Sequence, residues 1–274
     1  MNLALPSVKS IRRNLRIYFT LQLAQLRAAV EYRGDFWIGI VGAMLQQAAG
    51  LVFISALFSQ IPDVKGWTVW NIALLYGLAM IPKGITELFC DGPWMLRTKV
   101  NTGEFDRVLV RPISPALQSA TAIVSIHGLG QVILGIIVLW LGMSRSAMGF
   151  SWWMIPFLGV TILSGTIMIG AINYIINMIG FWEPSAQSAL PTMVALFIDF
   201  AKFPLDIYNL VIKGLVTIVI PYAFISYFPA LVLLHRDTGW RWLGFATPLA
   251  AALVVMFTAW LWGKALNRYQ GVGH

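Results

Sequence analysis

The chain has 274 residues, 58% of them hydrophobic and only 11% charged. No Asp, Glu, Lys or Arg occurs in Phe36–Pro62, Pro112–Ser144, Ser146–Trp182, Gly214–Leu234 or Trp242–Gly263, and a water-soluble surface cannot be built without charge along every element. The length suits one all-α polytopic membrane protein of about six helices and excludes a hidden soluble catalytic domain, while the formal charge of +8 fits cations in cytoplasmic segments better than a nucleic-acid surface.

Residues 1–34 form the first expected element. Lys9, Arg12, Arg13, Arg16, Arg27 and Arg33 interleave with Val8, Ile11, Leu15, Phe19, Leu23, Leu26 and Val30, apolar positions spaced by threes and fours. Such a basic amphipathic helix lies in the membrane interface with its apolar face in lipid. A targeting peptide is the rival reading, and it is weakened because Glu31 and Asp35 join the segment directly to a span. Met1–Pro6 lacks the basic flank and apolar core of a signal peptide.

Residues 35–274 are expected to form the membrane domain, with spans at about 35–59, 68–90, 116–142, 152–181, 186–203 and 245–265. Pro62, Asp63, Lys65 and Gly66 make the first turn. Pro82, Lys83 and Glu87 interrupt the second span, so its inner end is expected to be wet or packed on protein. Trp152, Trp153 and Trp182 flank the fourth span as interfacial aromatics, and Glu183-Pro184 turns the chain into the fifth. Residues 204–234 are apolar enough to cross but are broken by Gly214, Pro221 and Pro229, so two short re-entrant helices on the outer side are expected, with a seventh span as the alternative. Six spans place both termini in the cytoplasm. Six basic residues before the first span, four in Asp91–Pro115 and two in the tail then lie inside, against Lys65, Arg145, Lys213, Arg236 and Arg241 outside, which has the sign that cytoplasmic segments show.

No catalytic set emerges. The three histidines are isolated, and there is no paired-acid, His-x-x-x-His or Gly-x-Ser-x-Gly pattern. The single Cys90 excludes an internal disulfide and a Cys-rich metal site, and reads as a packing residue. Without a Gly-x-x-x-x-Gly-Lys-Ser/Thr loop the chain is not expected to hold a nucleotide, so no cofactor is assigned to it. The informative polar segment is the loop at 91–115. Its Glu104–Val110 part can form two helical turns with Phe105, Val108 and Leu109 on one side, and Asp106, Arg107 and Arg111 left for solvent or a partner. Gly103 punctuates its start and Pro112 its end. An interfacial loop that merely caps the bundle is the bland alternative.

The stretch Gly103-Glu104-Phe105-Asp106-Arg107-Val108-Leu109-Val110-Arg111-Pro112, followed by Ala116-Leu117-Gln118, resembles the signature loop of a bacterial permease family of the type-2 ATP-binding-cassette (ABC) transporters. Glu31–Phe36 is similar to the lead-in to that family's first span. Phe203–Tyr208 and Ile220–Ala230 are similar to its outer segment. Trp262-Gly263-Lys264 and Tyr269-Gln270-Gly271 are similar to its C-terminus, where Ser is commoner than Gln270. The resemblance implies six spans, an N-terminal interfacial helix and re-entrant helices before the last span. It also implies a bacterial inner-membrane location and a dimer with a second, identical or homologous permease chain. The dimer would sit on two copies of a P-loop ATPase that binds ATP and Mg. Gly103, Glu104, Phe105, Asp106, Leu109, Arg111 and Pro112 would belong to the coupling helix that meets this ATPase.

Two further features suit that architecture. Gly39, Ala43, Gln46 and Gly50 fall on one face of the first span, either packing inside the bundle or lining a pathway at a permease dimer interface. Asp199 and Lys202, three residues apart, are expected to pair near the outer surface, structurally or as a substrate contact. The leading function is an ATP-driven exporter permease; a secondary transporter, or another channel-like membrane protein without an ATPase, is the alternative. A secondary transporter would want repeated halves and a central acid. No repeat is evident, and Glu87 is the nearest candidate acid. Substrate identity and transport direction lie beyond the sequence.

Overall fold

A computed structural model describes residues 8–60, 63–146, 148–183, 189–236 and 238–269, and all regular structure among them is helical. Helix α1 (Val8–Glu31) lies against the C-terminal end of the helix over Val69–Cys90 through polar groups: Tyr18 Oη donates to the Phe89 carbonyl, and Gln22 Nε2 donates to the same oxygen at 2.6 Å. Its apolar row, Leu15, Phe19, Leu23, Leu26 and Val30, is exposed. A helix that docks by its polar edge and leaves its apolar face uncovered is suited to lipid on that face.

Helix α2 (Arg33–Gln60) is long enough to cross a membrane, as is α3 (Val69–Cys90). Between them Lys65 and Gly66 both have positive φ, and Val64 and Trp67 exchange backbone hydrogen bonds in a tight two-residue turn. Two thirds (67%) of the apolar stretch of α3 is buried, against 22% of that of α2, so α3 is the central helix.

After α3 the chain makes a 3₁₀ turn at Gly92–Met95, then α4 (Leu96–Asn101), α5 (Phe105–Leu109) and α6 (Pro115–Ala120). The expected third span at 116–142 is corrected here. Residues 121–126 leave the helical path, and the long helix α7 (His127–Arg145) begins only after them. The break is held on α3: Ser125 N–H donates to the Glu87 carbonyl at 3.1 Å and its hydroxyl to the Asp91 carboxylate. Apolar composition alone could not reveal backbone that is satisfied by a neighbouring helix. Helices α3 and α7 touch backbone to backbone where Gly84 meets Gly128. A Cβ on Gly84 would lie 2.6 Å from the Gly128 oxygen, so larger residues would separate the helices.

Helix α8 (Met154–Asn177), extended by a 3₁₀ turn to Phe181, packs on α3 and on the last helix. The expected fifth span at 186–203 is described only in part. Residues 184–188 lie outside the described residues, and the rest of the stretch is the short α9 (Ala189–Leu196) and a 3₁₀ turn at Phe197–Lys202, stopped before Pro204. Its described part is shorter than the helices long enough to cross. The 204–234 segment has the expected broken form: Leu210–Val219, comprising α10 (Leu210–Gly214) and a π turn, and Tyr222–Leu233, which includes α11 (Tyr227–Leu233), meet at 78°. Helix α12 (Thr247–Arg268) closes the bundle. Among the described residues, five helices are long and apolar enough to span, or six with the bent pair counted as one. The protein is an all-α, multi-pass membrane protein.

Candidate functional site

The 91–115 loop is built as an anchored lever. Gly103, at φ 75°, reverses the chain between α4 and α5 in a backbone region that other residues rarely adopt. Phe105 then points inward. It is fully buried, edge-on to Phe181 and Tyr269, each 5.1 Å away between ring centroids, with Trp262 beside them. Leu96, Val100, Val108, Met178 and Ala265 complete this small core. Tyr269 Oη donates to Asp106 at 2.9 Å, and burial together with that bond pushes its pKa up to about 12, so it remains a donor. Gln118 Nε2 donates to the carbonyls of Val108 and Ile113 at 2.9 and 2.8 Å.

The outward residues are Glu104, Arg107, Leu109, Val110, Arg111 and Pro112. Val110 is 83% exposed. This corrects the sequence-based pairing of Phe105 with Leu109: Phe105 and Val108 face the protein, while Leu109 faces away. Helical spacing lets both i+3 and i+4 neighbour Phe105; the aromatic cluster it joins covers the side that Val108 shares and leaves Leu109 outside. Asp106, expected for a partner or solvent, is half-buried and held by Tyr269.

A second constellation lies inside the bundle. Lys83, Glu87 and Asp91 fall at intervals of four along α3 and its C-cap, a single row down one helix face. Gln131 Nε2 donates to both Glu87 oxygens, at 3.0 and 2.8 Å. Burial raises the Asp91 carboxyl above its usual range, against the stabilising hydroxyl of Ser125. Lys83 makes no hydrogen bond or salt bridge with a described residue. This row borders two cavities of about 260 and 410 Å³. Along the sequence Lys83 and Glu87 read as interruptions of a span, with Glu87 also the nearest candidate for a transporter's acid; their four-residue spacing, continued to Asp91, is the signal that could have joined them.

Lys202 and Asp199 form the expected ion pair at 2.7 Å. Lys202 Nζ also reaches Gln47 Oε1 at 3.3 Å and lies over the Tyr76 ring, while Tyr76 Oη donates to the same Gln47 oxygen at 2.9 Å. Gln47 stands halfway along α2, so the ammonium is held against the middle of that helix.

The small-residue stripe of α2 is divided by the same packing. Gly39 faces His127, Ala43 is buried against Gly130, and a Cβ on Gly50 would lie 2.7 Å from Tyr76 Oη. These three therefore pack within the chain. Gln46 is exposed and, with Ala43, borders the 410 Å³ cavity. The buried glutamine of α2 is its neighbour Gln47.

No curated protein and no solved structure matches the chain. A family model described as ABC-2 family transporter protein matches residues 44–273, covering every helix from the middle of α2 onward, the anchored loop and the interior charged row. A multi-pass helical bundle with that match is a transporter membrane subunit, and the chain belongs to the ABC-2 transporter family.

Proposed function

We propose that the chain is the permease subunit of an exporter, forming half of a translocation pathway whose other half is a second, identical or homologous permease. ATP and Mg would be bound by two copies of a separate P-loop ATPase, docked on the cytoplasmic side of a bacterial inner membrane, with both permease termini on that side. The observation that carries this reading is the two-sided α5 loop. Phe105, Asp106 and Val108 fix it to the ends of α8 and α12, and Arg107, Leu109, Val110 and Arg111 remain outward. A rigidly held helix with an exposed apolar and cationic edge suits a soluble partner, because displacement of the edge moves the spans to which it is pinned. The alternative, a secondary transporter, draws on the interior position of Lys83 and Glu87.

Purifying the chain with the product of an adjacent ATPase gene, and cross-linking a cysteine at position 110 to that ATPase, tests the reading. Stable co-purification and ATP-dependent cargo movement are expected. Cargo movement that persists without any ATPase and follows an ion gradient would establish the alternative.

A further inference from the structure

Helix α1 presents three strips that follow one another around its circumference. At about 100° per residue, Tyr18, Gln22 and Gln25 share one edge, Leu15, Phe19, Leu23, Leu26 and Val30 the next, and Arg12, Arg16 and Arg27 the one beyond. The first strip is the anchor. Tyr18 and Gln22 donate to the Phe89 carbonyl, and Gln25 Nε2 donates to the Ala122 carbonyl at 3.4 Å. Ile17 and Leu21, on the side next to that anchor, are half-buried, so the bundle lies there. The apolar row is exposed, from 37% at Leu26 to 55% at Phe19. Arg12, Arg13, Arg16 and Arg27 are exposed as well, and none of their side chains has an ion pair or hydrogen bond with a described residue.

The arginines are placed for a lipid surface rather than for bulk water. A helix whose cations merely face water carries them opposite its apolar row. In α1 the positions opposite that row hold Ile17, Leu21, Ala24 and Ala28 instead of charges. Arg12, Arg16 and Arg27 stand within about a quarter of a turn of its midline. With the row in hydrocarbon, their aliphatic stems run along lipid and their guanidinium groups emerge at the level of the phosphates. Glu31 is the one acidic residue of the helix, and although it lies four residues from Arg27 it does not pair with it. The strip therefore has no counter-charge of its own.

We propose that α1 binds acidic phospholipids. Their phosphates sit against Arg12, Arg16 and Arg27, with Arg13 at the margin, and their acyl chains cover the apolar row. Arginine at all four positions suits phosphate, which its planar fork can grip through two parallel hydrogen bonds. From Arg12 to Arg27 the cations run along roughly 22 Å of helix, a line that matches a charged leaflet. Binding also has a structural effect. The two carbonyls that hold α1 belong to Phe89 and Ala122, shortly before Asp91 and Ser125, the pair that ties the break at residues 121–126 to α3. Acidic lipid that holds α1 in place steadies that tie. Such binding requires a membrane, and neither an ATPase nor a second permease.

The test uses the full chain in lipid nanodiscs, with Cys90→Ala and Leu23→Cys carrying a bimane fluorophore on the apolar row. Brominated phosphatidylglycerol or brominated phosphatidylcholine, each diluted into plain phosphatidylcholine, quenches the fluorophore according to its enrichment beside α1. Preferential quenching by the glycerol lipid is expected, and it should weaken as salt is raised. Each arginine near an acidic surface contributes about five-fold, so Arg16→Gln should lower the preference by about that factor. Replacing Arg12, Arg16 and Arg27 together with Gln should abolish it; the salt dependence and the single variant carry the test if that protein fails to fold. A bimane at Leu249, exposed on α12, is the reference and should show no preference. Equal quenching by the two lipids at position 23 would leave α1 with an apolar contact alone. A preference that survives the triple variant would assign lipid selection to other residues. No quenching by either lipid would mean that protein, such as a second copy of the chain, covers the row. Each of these three results overturns the proposal.

Discussion

Val110→Asp and Phe105→Ala should fail in different ways, and the difference tests the two-sided loop. Val110 is 83% exposed, so in the isolated permease an aspartate there changes stability by less than about 0.5 kcal/mol. If that edge is covered by the ATPase, the same aspartate is buried without a partner, at about 3 kcal/mol, or roughly 100-fold in affinity. Phe105 is fully buried among Phe181, Tyr269 and Trp262. Its truncation removes an aromatic core side chain, at about 3–5 kcal/mol of the permease's own stability. Thermal unfolding of the detergent-solubilised permease and its affinity for the ATPase are the paired measurements. Val110→Asp is expected to unfold like the parent and bind about 100-fold more weakly. Phe105→Ala is expected to unfold earlier, with any binding loss following from that. Wild-type affinity for Val110→Asp, or a Phe105→Ala protein of undiminished stability that cannot bind, would refute the assignment of faces.

Lys202→Met should destabilise the bundle by about 1–3 kcal/mol, since it strips a donor from Gln47 and the counter-charge from Asp199; the double variant with Asp199→Asn should recover part of that loss in a thermal-unfolding cycle. Gln46→Trp should leave unfolding unchanged and block transport if the exposed side of α2 borders the pathway. Gly50→Trp should instead lower stability, because the ring would displace Tyr76 Oη; equal stability of the two would contradict that packing. Cysteines placed at Lys99 and at Arg268, after Cys90→Ala, should resist an impermeant maleimide on intact cells and react after permeabilisation, whereas one at Asp63 should react on intact cells.

Membrane class, helical content and four of the long apolar helices were legible because each rests on local facts: uninterrupted apolar runs, the absence of charge, and prolines that break helices. The bend at Pro221 and the amphipathic α1 were legible for the same reason. The family resemblance at Gly103–Pro112 was equally local. What failed locally was facing. A small stripe on α2 could not say that Gly39, Ala43 and Gly50 meet α7 and α3, because helical spacing fixes which residues share a face but not what that face touches. The continuous run through 116–142 hid a break, since Ser125 finds its partners on α3 at Glu87 and Asp91. Phe105 and Leu109 looked like companions until the aromatic residues near the ends of α8 and α12 gathered one and left the other outside. Hydrophobicity and periodicity act along the chain, and they determined what crosses the membrane. Burial and the partner of each buried polar group depend on helices far apart in sequence coming together, and only the tertiary structure decided those.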